Sequence, residues 1–270
     1  MSSNQVYFVC MREMLDGYYD GYWDWRHLAE LSGYPTIWLN EIDPDSDNTY
    51  ILSPLNGDWT QGWQNPKARI ILHDLEWRLA EGGYAWDKSE LVIPPGVSEV
   101  WASDKWYADI TGAKYVPLGS HPGLVQTEAP AMEQYDVTFQ AYIWGRRNHM
   151  ADLLTNAGVS IAPSKWNPER DALLKSTTAM LHVHQWDAIH TIAPLRFAIA
   201  AAYGLPLISE QVQQRSIFDE IVLFTTYDAM PDYVKTLVKR YPDKLKEHGA
   251  ALHELLCGEY SFRKCVERAL

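Results

Sequence analysis

Short apolar runs bounded by turn residues recur along the whole chain. Between them lie segments whose apolar positions repeat every three to four residues. In the first half the short runs are VYFVCM (6–11), TIWLN (36–40), TYILS (49–53), ARIILH (68–73), SEVWAS (98–103) and AKYVPL (113–118). Their length and their Gly, Pro, Asn and Asp borders predict strands. DWRHLAELSGY (24–34) reads as a helix stopped at Gly33, and helices are also expected over 75–83 and 104–111. Strands alternating with helices predict a parallel sheet covered on both faces.

GSHPGLVQTEAPAMEQ (119–134) has no periodicity and reads as a linker. The alternation then restarts. YDVTFQAY (135–142), VSIAP (159–163), AMLHVHQ (179–185), LPLIS (205–209) and EIVLFTT (220–226) are expected strands. RRNHMADLLTNAG (146–158), PERDALLKS (168–176) and APLRFAIAAAYG (193–204) are expected helices, and the chain closes on a helical tail. Two Rossmann-like domains facing a cleft are therefore expected, over 1–122 and 133–249, with a helix over about 250–270 returning onto the first.

Composition narrows the partners. Of 270 residues 47% are hydrophobic and 21% charged, an ordinary globular balance. No apolar run is long enough to span a bilayer, and the first residues lack a secretion pattern. Cys10, Cys257 and Cys265 match no zinc or redox spacing and are expected as reduced thiols of a cytoplasmic protein. The net charge is −12 and is uneven: residues 1–125 hold 8 Lys and Arg against 18 Asp and Glu, the remainder 15 against 17. An acidic surface repels polyanions, which argues against broad nucleic-acid binding. The 12 Trp and 16 Tyr suit stacking on sugars or bases, but also suit cores.

In open parallel sheets ligands sit at the carboxyl ends of strands, against helix N-termini. Neither a dinucleotide fingerprint nor a phosphate-binding P-loop is present. Two strand-to-helix junctions carry arginine instead. Gly145, Arg146 and Arg147 open one helix, and Arg196 lies one turn inside another. Free backbone N–H groups, the helix dipole and forked guanidinium donors all suit phosphate. The plainer alternative is a buried ion pair for Arg196 and solvated side chains for Arg146 and Arg147. His182 and His184 point the same way on a strand, as zinc ligands do, but no third ligand is evident nearby. No metal site is therefore expected. At the strand ends of the first half stand two acidic candidates for a general base, Asp16 in the aromatic loop MREMLDGYYDGYWDW and Asp74 in ILHDLEWRL.

YDVTFQAYIWGRRNHMADLLTNAGVSIA followed by APLRFAIAAAYGLPLIS resembles the second domain of GT-B glycosyltransferases. The nearer resemblance is to the spore-maturation (CgeB-like) members of glycosyltransferase group 1, over roughly residues 135–210. It implies transfer of a sugar from a nucleotide-sugar donor, a UDP-sugar, to an acceptor hydroxyl, with no cofactor beyond that co-substrate. It also implies that Gly145, Arg146, Arg147, His184, Gln185, Thr191 and Arg196 bind the donor. Arg196 would neutralise the charge that develops as the nucleoside diphosphate leaves. The sequence departs from the retaining relatives at Thr191 and Ile199, where they carry a pair of Glu residues, so an inverting mechanism is expected. Ala141 replaces the Gly of the strand motif. A glycan or small molecule is the expected acceptor. Hydroxymethylated pyrimidines in phage DNA are the alternative, and a non-catalytic nucleotide- or sugar-binding protein is the rival from another class.

Overall fold

The computed structural model describes residues 4–10, 20–53, 62–75, 91, 93–125, 134–141, 143–165, 168–185, 191–213 and 216–270. The chain divides into two compact units. One holds residues 1–119, 193–195 and 262–270, the other 120–192 and 196–261.

The first unit contains β1 (Val6–Cys10), α1 (Asp20–Leu31), β2 (Thr36–Trp38), β3 (Thr49–Leu52), β4 (Arg69–Asp74), β5 (Glu99–Ala102), α2 (Lys105–Thr111) and β6 (Lys114–Tyr115). The strands form one sheet in the order β2-β1-β3-β4-β5-β6, every pairing parallel. The central strands TYIL and RIILHD are buried almost throughout, as a sheet covered on both faces requires. Register aligns Phe8 with Ile51 and Ile51 with Ile71 on one face. There Phe8 meets Trp25 of α1 at 5.1 Å and Phe262 at 5.5 Å between ring centroids. Phe262 opens a closing helix, Phe262–Ala269. The opposite face packs Val9, Tyr50, Leu52, Ile70 and Leu72 together. Helix α1 starts four residues before the periodicity of 24–34 predicts and ends at Leu31, with Gly33 in a left-handed turn beyond it. Most of the helix expected over 75–83 lies outside the described residues.

The second unit contains β7 (Tyr135–Thr138), α3 (Arg146–Asn156), β8 (Ile161–Ala162), α4 (Pro168–Lys175), β9 (Thr177–His182), α5 (Pro194–Ala202) from Arg196 onward, β10 (Leu207–Glu210), β11 (Leu223–Thr225), α6 (Met230–Arg240) and α7 (Pro242–Glu254). Its five strands run parallel in the order β11-β10-β9-β7-β8. Strand β9 starts two residues before the apolar run predicts, because Thr177 pairs with Tyr135. The helical tail is broken by Pro242 and by a widened π turn over Leu255–Glu259. Among the described residues no helix is long and apolar enough to cross a membrane.

Helix α5 packs through small residues. Ala198, Ala200 and Ala201 are fully buried, which lets its neighbours approach closely. The nearest approach is at Gly249 of α7, where a Cβ would run into the carbonyl oxygen of Gly204 just beyond α5. Backbone cannot give way as a flexible side chain does. Gly249→Ala is therefore expected to destabilise the second unit by about 1–3 kcal/mol, read as a lower urea midpoint.

Candidate functional site

The sequence-marked arginines gather at the carboxyl ends of β7, β9 and β10, which lie side by side. Helix α3 starts at Gly145, whose φ of +56° with ψ of −126° is a conformation that side-chain-bearing residues rarely adopt. Arg147 follows and is buried, 3% exposed, with Nε donating to the Val183 carbonyl at 2.9 Å. Burial lowers its pKa to about 10. Arg196, in the first turn of α5, is partly buried and donates through Nη1 to the Phe139 carbonyl. Burial, and after it the charge of Arg147, holds its pKa well below the usual guanidinium range. Among the described residues no carboxylate pairs with Arg196; the charge that reaches it is the like charge of Arg147. Two cations sharing a poorly solvated corner repel each other, and an anion between them relieves both penalties.

Arg146 is engaged differently. Its Nη2 pairs with the Glu210 carboxylate at the end of β10, and its guanidinium lies 4.4 Å from the centre of the Tyr227 ring. The Tyr227 hydroxyl donates to the Arg146 carbonyl at 2.9 Å. The second Glu210 oxygen accepts the His184 backbone N–H at 3.2 Å. Glu210 thus joins the start of α3 to the end of β9. Among the described residues the cluster brings together the guanidiniums of Arg146, Arg147 and Arg196 and the Glu210 carboxylate.

Two histidines complete it. The rings of His182 and His184 stand edge to face with centroids 5.1 Å apart. His184 Nε2 donates to the Gln211 carbonyl at 3.1 Å, and His182 Nδ1 lies 3.3 Å from Ser209 Oγ. Ser209 Oγ itself donates to the Glu210 carbonyl at 2.7 Å, so His182 Nδ1 carries the proton. Burial is the main cause that lowers both pKa values. His184 and the guanidiniums of Arg196 and Arg147 lower that of His182 further. Arg146 and Arg147 lower that of His184, against an opposing pull from Glu210 and the Gln211 carbonyl. Both rings are therefore neutral at pH 7. Among the described residues no three His, Cys, Asp or Glu side chains converge as metal ligands would.

Of the remaining candidates, Gln185 is half-buried next to His184, and Thr191 is buried ahead of α5. Asp74 ends β4 in the first unit, 1% exposed, with its carbonyl accepting the Ser103 N–H at 2.9 Å. Asp16 lies outside the described residues. His73, beside Asp74, is a core histidine. Its Nδ1 accepts from Trp25 Nε1 at 3.4 Å, and Nε2 donates to Ser103 Oγ at 2.8 Å. Ser103 Oγ passes its own proton to the Val116 carbonyl at 3.0 Å.

The sequence reasoning passes over Glu210, Gln140 and Tyr227. Glu210 was signalled only as a carboxylate closing LPLISE, and Tyr227 reaches Arg146 across 81 positions with no local pattern to announce it.

The structure of AviGT4, a glycosyltransferase involved in avilamycin A biosynthesis, is similar over 98% of this chain and 96% of its own, at 15% identity and a TM-score of 0.52. With two parallel-sheet units present here, the shared fold is that of GT-B glycosyltransferases. The GtfA/B complex aligns with 83% of this chain and 57% of its own, at 10% identity and a TM-score of 0.48. In sequence, uncharacterized protein L140 of Acanthamoeba polyphaga mimivirus is 29% identical over 107 residues, 37% of this chain and 35% of that protein. The chain thus matches about a third of that relative's length. No protein-family model matches.

Proposed function

We propose that this chain is a glycosyltransferase that moves a sugar from a nucleotide-sugar donor, a UDP-sugar, to an acceptor hydroxyl. The observation that carries the reading is Arg196, a desolvated guanidinium fixed by the Phe139 carbonyl, with Arg147 nearby and no carboxylate partner among the described residues. A nucleotide sugar brings a negative charge on each phosphorus, and a further one develops on the leaving oxygen. The Arg196 guanidinium, with Arg147 as its charged neighbour, fits that demand. Fold supports the same reading through AviGT4, itself a glycosyltransferase.

In the transfer the acceptor oxygen attacks the anomeric carbon as the bond from that carbon to the phosphate oxygen breaks. The acceptor proton passes to a carboxylate base, and the nucleoside diphosphate departs with the bonding electrons. Asp74 and Asp16 are the candidates for that base. Arg196 stabilises the leaving diphosphate, worth about 3–4 kcal/mol of barrier by analogy with preorganised oxyanion donors. That charge compensation is the role a divalent cation plays elsewhere, so transfer is expected to persist in EDTA.

The test incubates the protein with radiolabelled UDP-glucose, UDP-galactose and UDP-N-acetylglucosamine. Acceptors are an oligosaccharide panel, small hydroxylated metabolites, and DNA carrying hydroxymethylcytosine or hydroxymethyluracil. Label in a glycan or small molecule is the expected result. Label confined to DNA would change the acceptor class and keep the enzyme class. Binding without transfer or donor hydrolysis would make the chain a nucleotide-sugar-binding protein.

A further inference from the structure

Two buried hydrogen-bond acceptors stand unmet beside the arginines. His184 and Gln140 are 5% and 6% exposed. They follow β9 and β7, which are neighbours paired through Met180 and Thr138. The His184 tautomer is set by its partner. A carbonyl only accepts, so the Gln211 oxygen places the proton on Nε2 and leaves a lone pair on Nδ1. The Gln140 amide is oriented in the same way. Its Nε2 donates to the Lys165 carbonyl at 2.9 Å, which makes Oε1 the free end. Neither Nδ1 nor Oε1 has a partner among the described residues. Natural proteins rarely leave such atoms buried and unsatisfied without a reason.

Both acceptors are also tied to the cations. Arg196 grips the carbonyl of Phe139, the residue before Gln140, and Arg147 grips the carbonyl of Val183, the residue before His184. Gln140 takes a φ of +44°, left-handed backbone that a side-chain-bearing residue adopts only when its surroundings impose it. Each guanidinium donor is thus paired in sequence with an acceptor that only a hydrogen-bond donor can satisfy.

We infer that His184 Nδ1 and Gln140 Oε1 read hydrogen-bond donors of the ligand, so that the site selects a diphosphate carrying hydroxyl or imide N–H groups over a bare phosphate chain. A ligand made only of phosphate satisfies the arginines and leaves both acceptors dry and empty. A nucleotide sugar meets both needs, with sugar and ribose hydroxyls and the N–H of the base as donors. This inference rests on the anion site of the proposed function and adds the neutral half of the recognition.

Calorimetric titration of the whole chain tests it with pyrophosphate, UDP and UDP-glucose. The wild type is expected to bind UDP-glucose more tightly than pyrophosphate. His184→Phe and Gln140→Leu are expected to lose about tenfold or more in UDP-glucose affinity while pyrophosphate changes by less than about twofold. A loss already present for UDP assigns the donor to the nucleoside; a loss seen with UDP-glucose alone assigns it to the sugar. Should a bulky variant fail to fold, Gln140→Gly keeps the left-handed backbone and removes the acceptor together with the bond to the Lys165 carbonyl. His184→Asn restores an amide oxygen near the Nδ1 position and should recover part of the affinity. Equal losses for pyrophosphate and UDP-glucose, or unchanged UDP-glucose binding, would overturn the inference and leave the anion site standing. If the wild type binds none of the three, the proposed function falls as well.

Discussion

Arg196→Met should make the protein more stable and useless for binding a diphosphate. A desolvated guanidinium beside a second one opposes folding, and methionine of similar length carries no charge to bury. Replacing buried ions with apolar side chains commonly stabilises by about 1–4 kcal/mol. The Phe139 carbonyl loses its donor in the exchange, which offsets about 1 kcal/mol. A net gain of about 0–3 kcal/mol in urea unfolding, and no loss, is therefore expected. Affinity for UDP or pyrophosphate should fall at the same time by about 2–5 kcal/mol, on the order of 30-fold to several thousand-fold. The opposed signs discriminate between roles. An arginine kept for structure would lose stability and leave binding untouched, and that outcome would remove the basis for the diphosphate reading.

Acid should weaken the first unit through His73. Burial lowers the pKa of this side chain to about 3, against an ordinary value near 6.5. Between those values the unfolded chain takes up a proton that the folded chain refuses. The stabilisation is thus complete above about pH 6.5 and is lost as the pH falls toward 3. The full span is worth roughly 5 kcal/mol, and about 3 kcal/mol of it has gone by pH 4.5. Urea midpoints measured between pH 7 and 4.5 should shift accordingly. His73→Gln, which hydrogen-bonds without titrating in this range, should flatten the dependence. A midpoint that stays constant in the wild type would contradict the neutral, doubly bonded ring. His182 in the second unit shifts in the same direction and adds to the effect.

The elements that could be read from the chain are those whose own letters decide them. RIILHD and TTAMLH are buried strands built on the continuous apolar runs IIL and AML, which suit both faces of a covered sheet. PLRFAIAAA announces a helix by its opening proline and its small residues, and the arginine inside it stands out against that background. Arg147 and Arg196 were marked for phosphate, and the structure places both in one poorly solvated cluster. What escaped notice depends on partners far away in sequence. Glutamine has no propensity for left-handed backbone, so nothing in YDVTFQAY announces the bend at Gln140. The engagement of Arg146 follows from Glu210 and Tyr227, which stand 64 and 81 positions away. The widened turn over Leu255–Glu259 similarly has no signature in the helical tail.

The closing helix has a consequence for how the protein is made. Phe262 covers Phe8, and Lys114 donates to the Ala269 carbonyl, so residues 6–10 and 262–269 share the first core. During synthesis β1 emerges before any other strand, yet the helix that covers Phe8 follows the entire second unit out of the ribosome. Until then Phe8 has Trp25 and Tyr34 beside it but lacks the cover of Phe262, while the second unit, made from residues 120–192 and 196–261, can condense first. A fragment ending at residue 119 would carry the same exposure permanently.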